Sequence, residues 1–158
     1  MFSPKRLSKE ESLKKIKNYC SYQERSHKEV KEKLYGFGLF KSEVEEILSS
    51  LIEHNYLNEE RFARQFAGGK FRMKHWGRRK ILYELQQKGV NTLNIKLGLK
   101  EIDEEKYLEV LQKLASKKWN ELSGQQYLVR QAKTNAYLLQ KGYEQTLIGE
   151  VIGALVKG

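Results

Sequence analysis

The chain has 158 residues, with 30 Lys and Arg against 20 Asp and Glu and a formal net charge of +10. That length suits one ordinary domain or a few small repeats with shared packing, and that charge balance favours phosphates or acidic protein surfaces as partners. A single cysteine, Cys20, excludes an internal disulfide, the charged start lacks the apolar stretch of a signal peptide, and no apolar run approaches the roughly 20 residues that cross a bilayer, so a soluble cytoplasmic protein is expected.

Pro4 is the only proline, so beyond it nothing ends a helix by removing a backbone donor. Apolar spacing reads as helix almost throughout: Val44, Ile47, Leu48, Leu51 and Ile52 form one stripe, and Leu147, Ile148, Val151, Ile152, Leu155 and Val156 another. No stretch sustains strand alternation. The fold class expected is therefore all-α.

Three spacings suggest a repeat. Leu34 precedes Gly38, Leu85 precedes Gly89 and Leu138 precedes Gly142, and each glycine is followed by an apolar residue, Leu39, Val90 or Tyr143. A glycine just past a helix can take the left-handed conformation that caps it, with the next apolar residue folding back on the last turn. In chain order this predicts three tandem three-helix repeats. Repeat one spans 8–57, with helices near Lys9–Tyr22, Ser26–Tyr35 and Ser42–Asn55. Repeat two spans 58–102, with helices near Glu59–Lys74, Arg78–Lys88 and Thr92–Lys100. Repeat three spans 103–158, with helices near Glu104–Leu122, Gln125–Gln140 and Glu144–Lys157. Ser8, Ser26, Ser42, Asn58 and Asp103 stand where N-caps are wanted. Tyr19, Tyr35, Tyr107 and Tyr137 fall on apolar faces and are expected in the core, as is Cys20, one turn from Ile16.

Charge is unevenly distributed. From Arg61 to Tyr83 there are eight cations (Arg61, Arg64, Lys70, Arg72, Lys74, Arg78, Arg79 and Lys80) and no carboxylate, with Phe62, Phe66, Phe71, Met73, Trp76, Ile81 and Leu82 threaded among them. A charge run is commonly a solvated face, but this asymmetry with this apolar content reads as a binding face built into the fold. Trp76 is either an inter-helix anchor or a stacking platform for a base or partner surface. Gly68-Gly69 lies inside a predicted helix, where two glycines cost about 2 kcal/mol relative to alanine. Close packing, a bend or a partner contact would offset that cost. The three histidines have no metal-ligand spacing, and Gly68-Gly69-Lys70 lacks the phosphate-loop pattern. No catalytic residue, metal or cofactor is expected.

Asn58-Glu59-Glu60-Arg61-Phe62-Ala63, followed by Gly77-Arg78-x-Lys80-Ile81-x-x-Glu84-Leu85-x-x-Lys88-Gly89-Val90, resembles the signature of the RecX regulatory family. Arg25-Ser26-x-x-Glu29-Val30-x-x-Lys33-Leu34 and Leu138-x-x-Lys141-Gly142-Tyr143 resemble the matching motifs of its first and third repeats. The resemblance implies an elongated, curved array of three-helix repeats lying along the groove of the RecA filament on single-stranded DNA, limiting its extension, ATPase and strand exchange. A monomeric, non-enzymatic protein is expected. The contact face would centre on Arg72, Lys74, Arg78, Arg79 and Lys80, extended by Arg25 and Lys28 on repeat one and by Arg130 and Lys133 on repeat three. The rival reading is a sequence-independent DNA-binding protein with no recombinase partner.

Overall fold

The computed structural model describes residues 6–158, and the start of the chain with Pro4 lies outside the described residues. Among the described residues there are nine helices and no strand: α1 (Lys9–Tyr22), α2 (His27–Gly36), α3 (Lys41–Glu53), α4 (Glu59–Lys74), α5 (Arg78–Gln87), α6 (Thr92–Leu99), α7 (Glu104–Glu121), α8 (Tyr127–Lys141) and α9 (Gln145–Lys157).

Four of the five expected caps form. Side-chain oxygens of Ser8, Ser26, Asn58 and Asp103 accept from the backbone N–H groups of Glu11, Glu29, Arg61 and Lys106. Each satisfies one donor that a helix start leaves without an intrahelical partner. Ser42 does not cap. The Glu43 carboxylate reaches back to the Phe40 N–H at 3.1 Å, so α3 begins at Lys41 and Ser42 lies inside its first turn.

The glycine signal closes the second helix of each group. Gly38, Gly89 and Gly142 have φ of +87°, +76° and +100°. Val90 donates to the Leu85 carbonyl at 3.1 Å and Tyr143 to the Leu138 carbonyl at 3.1 Å. These six-to-one bonds tie the residue after the glycine back over the last turn. Val90, Tyr143 and both leucines are buried. Leucine, glycine and apolar residue are therefore one device: acceptor, left-handed turn and plug.

The chain divides into two compact units. The first contains the chain up to Gln65 and Leu85–Gly98. Its core gathers Ile16, Cys20, Val30, Leu34, Leu39, Val44, Ile47, Leu51 and Leu57. Burial pushes the Cys20 thiol up from its ordinary range, as suits a core residue without thiolate character. The second unit contains Phe66–Glu84 and Leu99–Gly158. Tyr107, Leu111, Ala115, Leu138, Tyr143 and Ile148 are fully buried there, and the Tyr107 ring lies 5.7 Å from Phe71 and 5.1 Å from Tyr143. α4 and α5 each contribute to both units.

Among the tyrosines expected inside, Tyr107 is fully buried, Tyr19 and Tyr137 are half-buried and Tyr35 is exposed. Tyr35 follows the buried Leu34, and one residue along an α-helix turns the side chain about 100° off that face.

The Gly68-Gly69 pair does not interrupt α4, which runs unbroken from Glu59 to Lys74. A Cβ on Gly69 would meet nothing within 4 Å, and the nearest group to one on Gly68 is the guanidinium end of Arg72, at 2.8 Å. Close helix contact belongs instead to Gly98, where an added Cβ would lie 2.7 Å from the Ala63 carbonyl oxygen.

Candidate functional site

The basic run separates into cations that hold the fold together and cations that face outward. Arg61 pairs with Glu24 and donates to the Asn55 carbonyl at 3.2 Å. Arg64 pairs with Glu60 one turn back on α4. Arg78 lies at the centre of a joint. Its guanidinium meets Glu104 at 2.6 Å and Glu144 at 2.8 Å and stacks 4.0 Å from the Tyr107 ring centre. Its own N–H donates to the Tyr107 hydroxyl at 2.9 Å, and that hydroxyl donates to Glu144. Burial and the Glu144 carboxylate push the Tyr107 hydroxyl well above the usual phenol range, so it stays protonated and keeps donating.

Around Arg78 the start of α5 seats against the end of α8. Gly77 N–H donates to the Lys141 carbonyl at 2.8 Å and Arg79 N–H to the Gly142 carbonyl at 2.9 Å. A Cβ on Gly142 would fall 2.3 Å from the Cβ of Lys80, and one on Gly77 would fall 2.3 Å from the Gly142 backbone. Donors left open at one helix start thus satisfy carbonyls left open past another helix end. The start of α2 makes the corresponding joint with the end of α5. Lys28 Nζ donates to the Gln87 carbonyl at 3.0 Å, His27 Nδ1 lies 3.4 Å from Glu59, and Lys88 pairs with Glu29 at 3.0 Å.

The other outlying candidates are also engaged within the fold. Arg25 donates through Nε to the Tyr19 carbonyl at 3.0 Å and stacks on the Tyr19 ring. Arg130 does the same at Trp119, at 2.9 Å. Both carbonyls belong to last turns, of α1 and α7, so the two arginines act as C-terminal caps. Lys133 is exposed and reaches Gln125 at 3.1 Å.

Five cations of the run have no carboxylate among the described residues within ion-pair distance: Lys70, Arg72, Lys74, Arg79 and Lys80. Arg72, Lys74 and Arg79 are exposed. Lys70 and Lys80 place their ammonium groups 5.0 Å and 4.6 Å from the Trp76 ring centre, and Phe66 meets that ring edge-on at 6.4 Å.

One further cation joins them. Lys141 Nζ donates to the Lys74 carbonyl at 2.8 Å, and burial, then Lys80 and Lys74, pull its pKa below the ordinary lysine value. In the sequence Lys141 reads only as part of a motif beside Gly142, 61 residues beyond Lys80 in the numbering. The corresponding Lys88-Gly89 was the one local sign that this lysine sits at a joint. Lys74, Lys80 and Lys141 are close enough to repel one another, which marks a surface that the fold leaves unneutralised.

Elsewhere a cavity of about 540 Å³ lies between α7 and α9, lined in part by Glu109, Lys113, Val151 and Leu155. Among the described residues no group of three or more His, Cys, Asp or Glu is placed to hold a metal. No helix among them is long and apolar enough to cross a membrane.

Residues 58–105 match the second three-helix domain of RecX and residues 104–152 match the third. A Clostridium perfringens protein named Regulatory protein RecX is 31% identical over 160 residues, covering 96% of this chain and 73% of its own length. The chain belongs to the RecX family. A Regulatory protein RecX of Lactobacillus johnsonii is 32% identical over 89% of this chain, which spans about half, 52%, of that relative. The crystal structure of RecX from Lactobacillus salivarius matches with a TM-score of 0.86 at 26% identity, covering 95% of this chain and 97% of that one. The fold is thus an all-α RecX repeat array. The five unneutralised cations of the run lie within the matched second domain, and Lys141 comes from the matched third.

Proposed function

We propose that this RecX-family chain is a non-enzymatic, cytoplasmic regulator that acts as a monomer, seats in the groove of a RecA filament on single-stranded DNA, and restrains its extension, ATPase and strand exchange. The observation that carries the reading is the cluster of Lys70 and Lys80 at the Trp76 ring with Lys74 and Lys141 beside Lys80, none of the four having a carboxylate among the described residues within ion-pair distance. Holding like charges together costs free energy, and a permanent partner of opposite charge offsets it. Arg72 and Arg79 extend the face outward, while Arg78, Arg25 and Arg130 support it by fixing helix ends. Occupancy of the groove would obstruct the rearrangements of neighbouring RecA protomers that growth and turnover require.

The test leaves the joints intact. Arg72→Glu with Arg79→Glu alters exposed side chains only. The doubly substituted protein should keep its helical content and lose inhibition of RecA ATPase by at least about tenfold, as expected when close charges turn from attraction to repulsion. Full inhibition by that folded protein would remove this face from the mechanism.

The second reading, direct sequence-independent DNA binding, draws on Trp76 alone. A ring bordered by two ammonium groups suits a base stacked between phosphates. Tight, salt-sensitive DNA binding without any effect on RecA would favour it.

A further inference from the structure

The seat that joins α5 to α8 occurs three times, and its third occupant is not a helix. In each case a left-handed glycine ends the second helix of a group: Gly38, Gly89 or Gly142. In each case a carboxylate stands at the N-cap of the helix that follows. Glu144 is itself the N-cap of α9, Glu59 accepts from Asn91 N–H at the start of α6 at 2.9 Å, and Glu43 accepts from Phe40 N–H at the start of α3. In each case an incoming segment brings a side chain to that carboxylate: Arg78 to Glu144 at 2.8 Å, His27 to Glu59 at 3.4 Å and Arg6 to Glu43 at 2.5 Å.

At the first seat the incoming segment is the extended stretch that leads into α1. Leu7 N–H donates to the Phe37 carbonyl at 2.9 Å, as Gly77 N–H donates to Lys141. The Arg6 backbone packs on Gly38, where an added Cβ would lie 3.0 Å from the Arg6 Cα, as Lys80 packs on Gly142. Arg6 also lies 4.4 Å above the Phe40 ring.

We propose that Arg6–Ser8 is a strap lying in a docking seat whose chemistry fits the first turn of a cation-bearing helix, and that displacing it opens the first three-helix group to such a helix. The strap is the weaker occupant. It brings one backbone hydrogen bond and one ion pair whose arginine is 48% exposed. The start of α5 brings two backbone bonds, two ion pairs through an arginine 25% exposed, and the Tyr107 hydroxyl. This inference does not depend on any RecA partner.

The test uses the full chain. Arg6→Glu sets a second carboxylate against Glu43, and Leu7→Pro removes the donor to Phe37. The probe is a fluorescent, lactam-stapled peptide of residues 75–88, stapled because so short a helix is marginal alone. Its Arg78→Glu form is the control. Both variants should bind the probe at least tenfold more tightly than the wild-type chain, and the control peptide should bind neither. Equal binding by the wild-type chain, no binding by either folded variant, or equal binding of the control overturns the proposal. Hydrogen exchange on the wild-type protein decides the matter even if both variants unfold: the Leu7 amide should exchange at least tenfold more slowly than in an unstructured chain, and a free exchange rate there overturns the seat.

Discussion

Arg78 and Glu144 are 66 residues apart in the chain and 2.8 Å apart in the fold. The same guanidinium holds Glu104 and covers Tyr107, so one side chain joins the starts of α5, α7 and α9. Removing it strips the half-buried Glu144 carboxylate of its cation, while the Tyr107 hydroxyl keeps the backbone N–H of residue 78 and Glu144 as partners. Arg78→Ala should therefore destabilise the protein by about 2 kcal/mol, the usual cost of losing a charged hydrogen bond with its partners left in place. Arg78→Lys should recover only part of that, because an ammonium cannot fork between two carboxylates. Urea unfolding followed by helical circular dichroism measures both. A change below about 0.5 kcal/mol for Arg78→Ala would return Arg78 to the ordinary range of surface sites.

Two glycines should respond in opposite senses. Gly142 has φ of +100° and would drive a Cβ to 2.3 Å from the Lys80 Cβ. Gly142→Ala should cost roughly 3 kcal/mol, from backbone strain and the clash together. Gly69 is helical with open space around it. Gly69→Ala should stabilise by about 0.8–1 kcal/mol, the helix-propensity difference. If the fold gains by losing Gly69, the glycine serves something outside the fold. The same variant assayed for inhibition of RecA ATPase then tests a partner contact: weaker inhibition by a more stable protein assigns Gly69 to that contact.

What the sequence makes legible is what short range decides. Helix periodicity, the caps at Ser8, Ser26, Asn58 and Asp103, and the spacing from Leu138 through Gly142 to Tyr143 all act within one or two turns, so residue types alone carry them. The division of labour inside the basic run is not local. Arg78 looks like Arg79 in a string of letters, yet Glu104 and Glu144 reach only the first. Arg25 and Arg130 look like surface charge, but each closes a helix whose last turn faces it. Ser42 has the right type for a cap, but α3 starts at Lys41 with Phe40 at the N-cap, so Ser42 falls inside the first turn and Glu43 supplies the bond back to the Phe40 N–H.

The joint between α2 and α5 is built on an ionisable group, whereas its counterpart is built on an arginine. His27 has its Nε2 buried without a hydrogen-bond partner. Burial pulls its pKa below the ordinary 6.5, partly opposed by Glu59 and assisted by Lys31. The fold thus favours the neutral ring. The stability this gives is complete above pH 6.5 and is lost as the pH falls from there through the lowered value. The unfolding free energy measured in urea should drop between pH 7 and pH 5.5, and His27→Leu should remove part of that drop. An identical pH profile in His27→Leu would show that the ring is not held neutral by the joint.

The unneutralised face also separates contact with DNA from contact with protein. Binding to single strands weakens with salt by a slope of about 0.7 for each phosphate neutralised. If Lys74 and Lys80 each meet a phosphate, Lys74→Ala and Lys80→Ala should each lower the slope for a thymidine oligomer by about that amount, roughly independently of sequence. The chain has two tryptophans, Trp76 and Trp119, so Trp119→Phe leaves Trp76 as the only reporter, between Lys70 and Lys80. Quenching of its fluorescence by the free oligomer, reversed by salt, would place nucleic acid at the cluster. No response to the oligomer but a response to RecA assembled on it would place filament protein there. A ring that responds to neither would leave Trp76 as an anchor for Phe66 and the two lysines, and would put the binding face elsewhere on the chain.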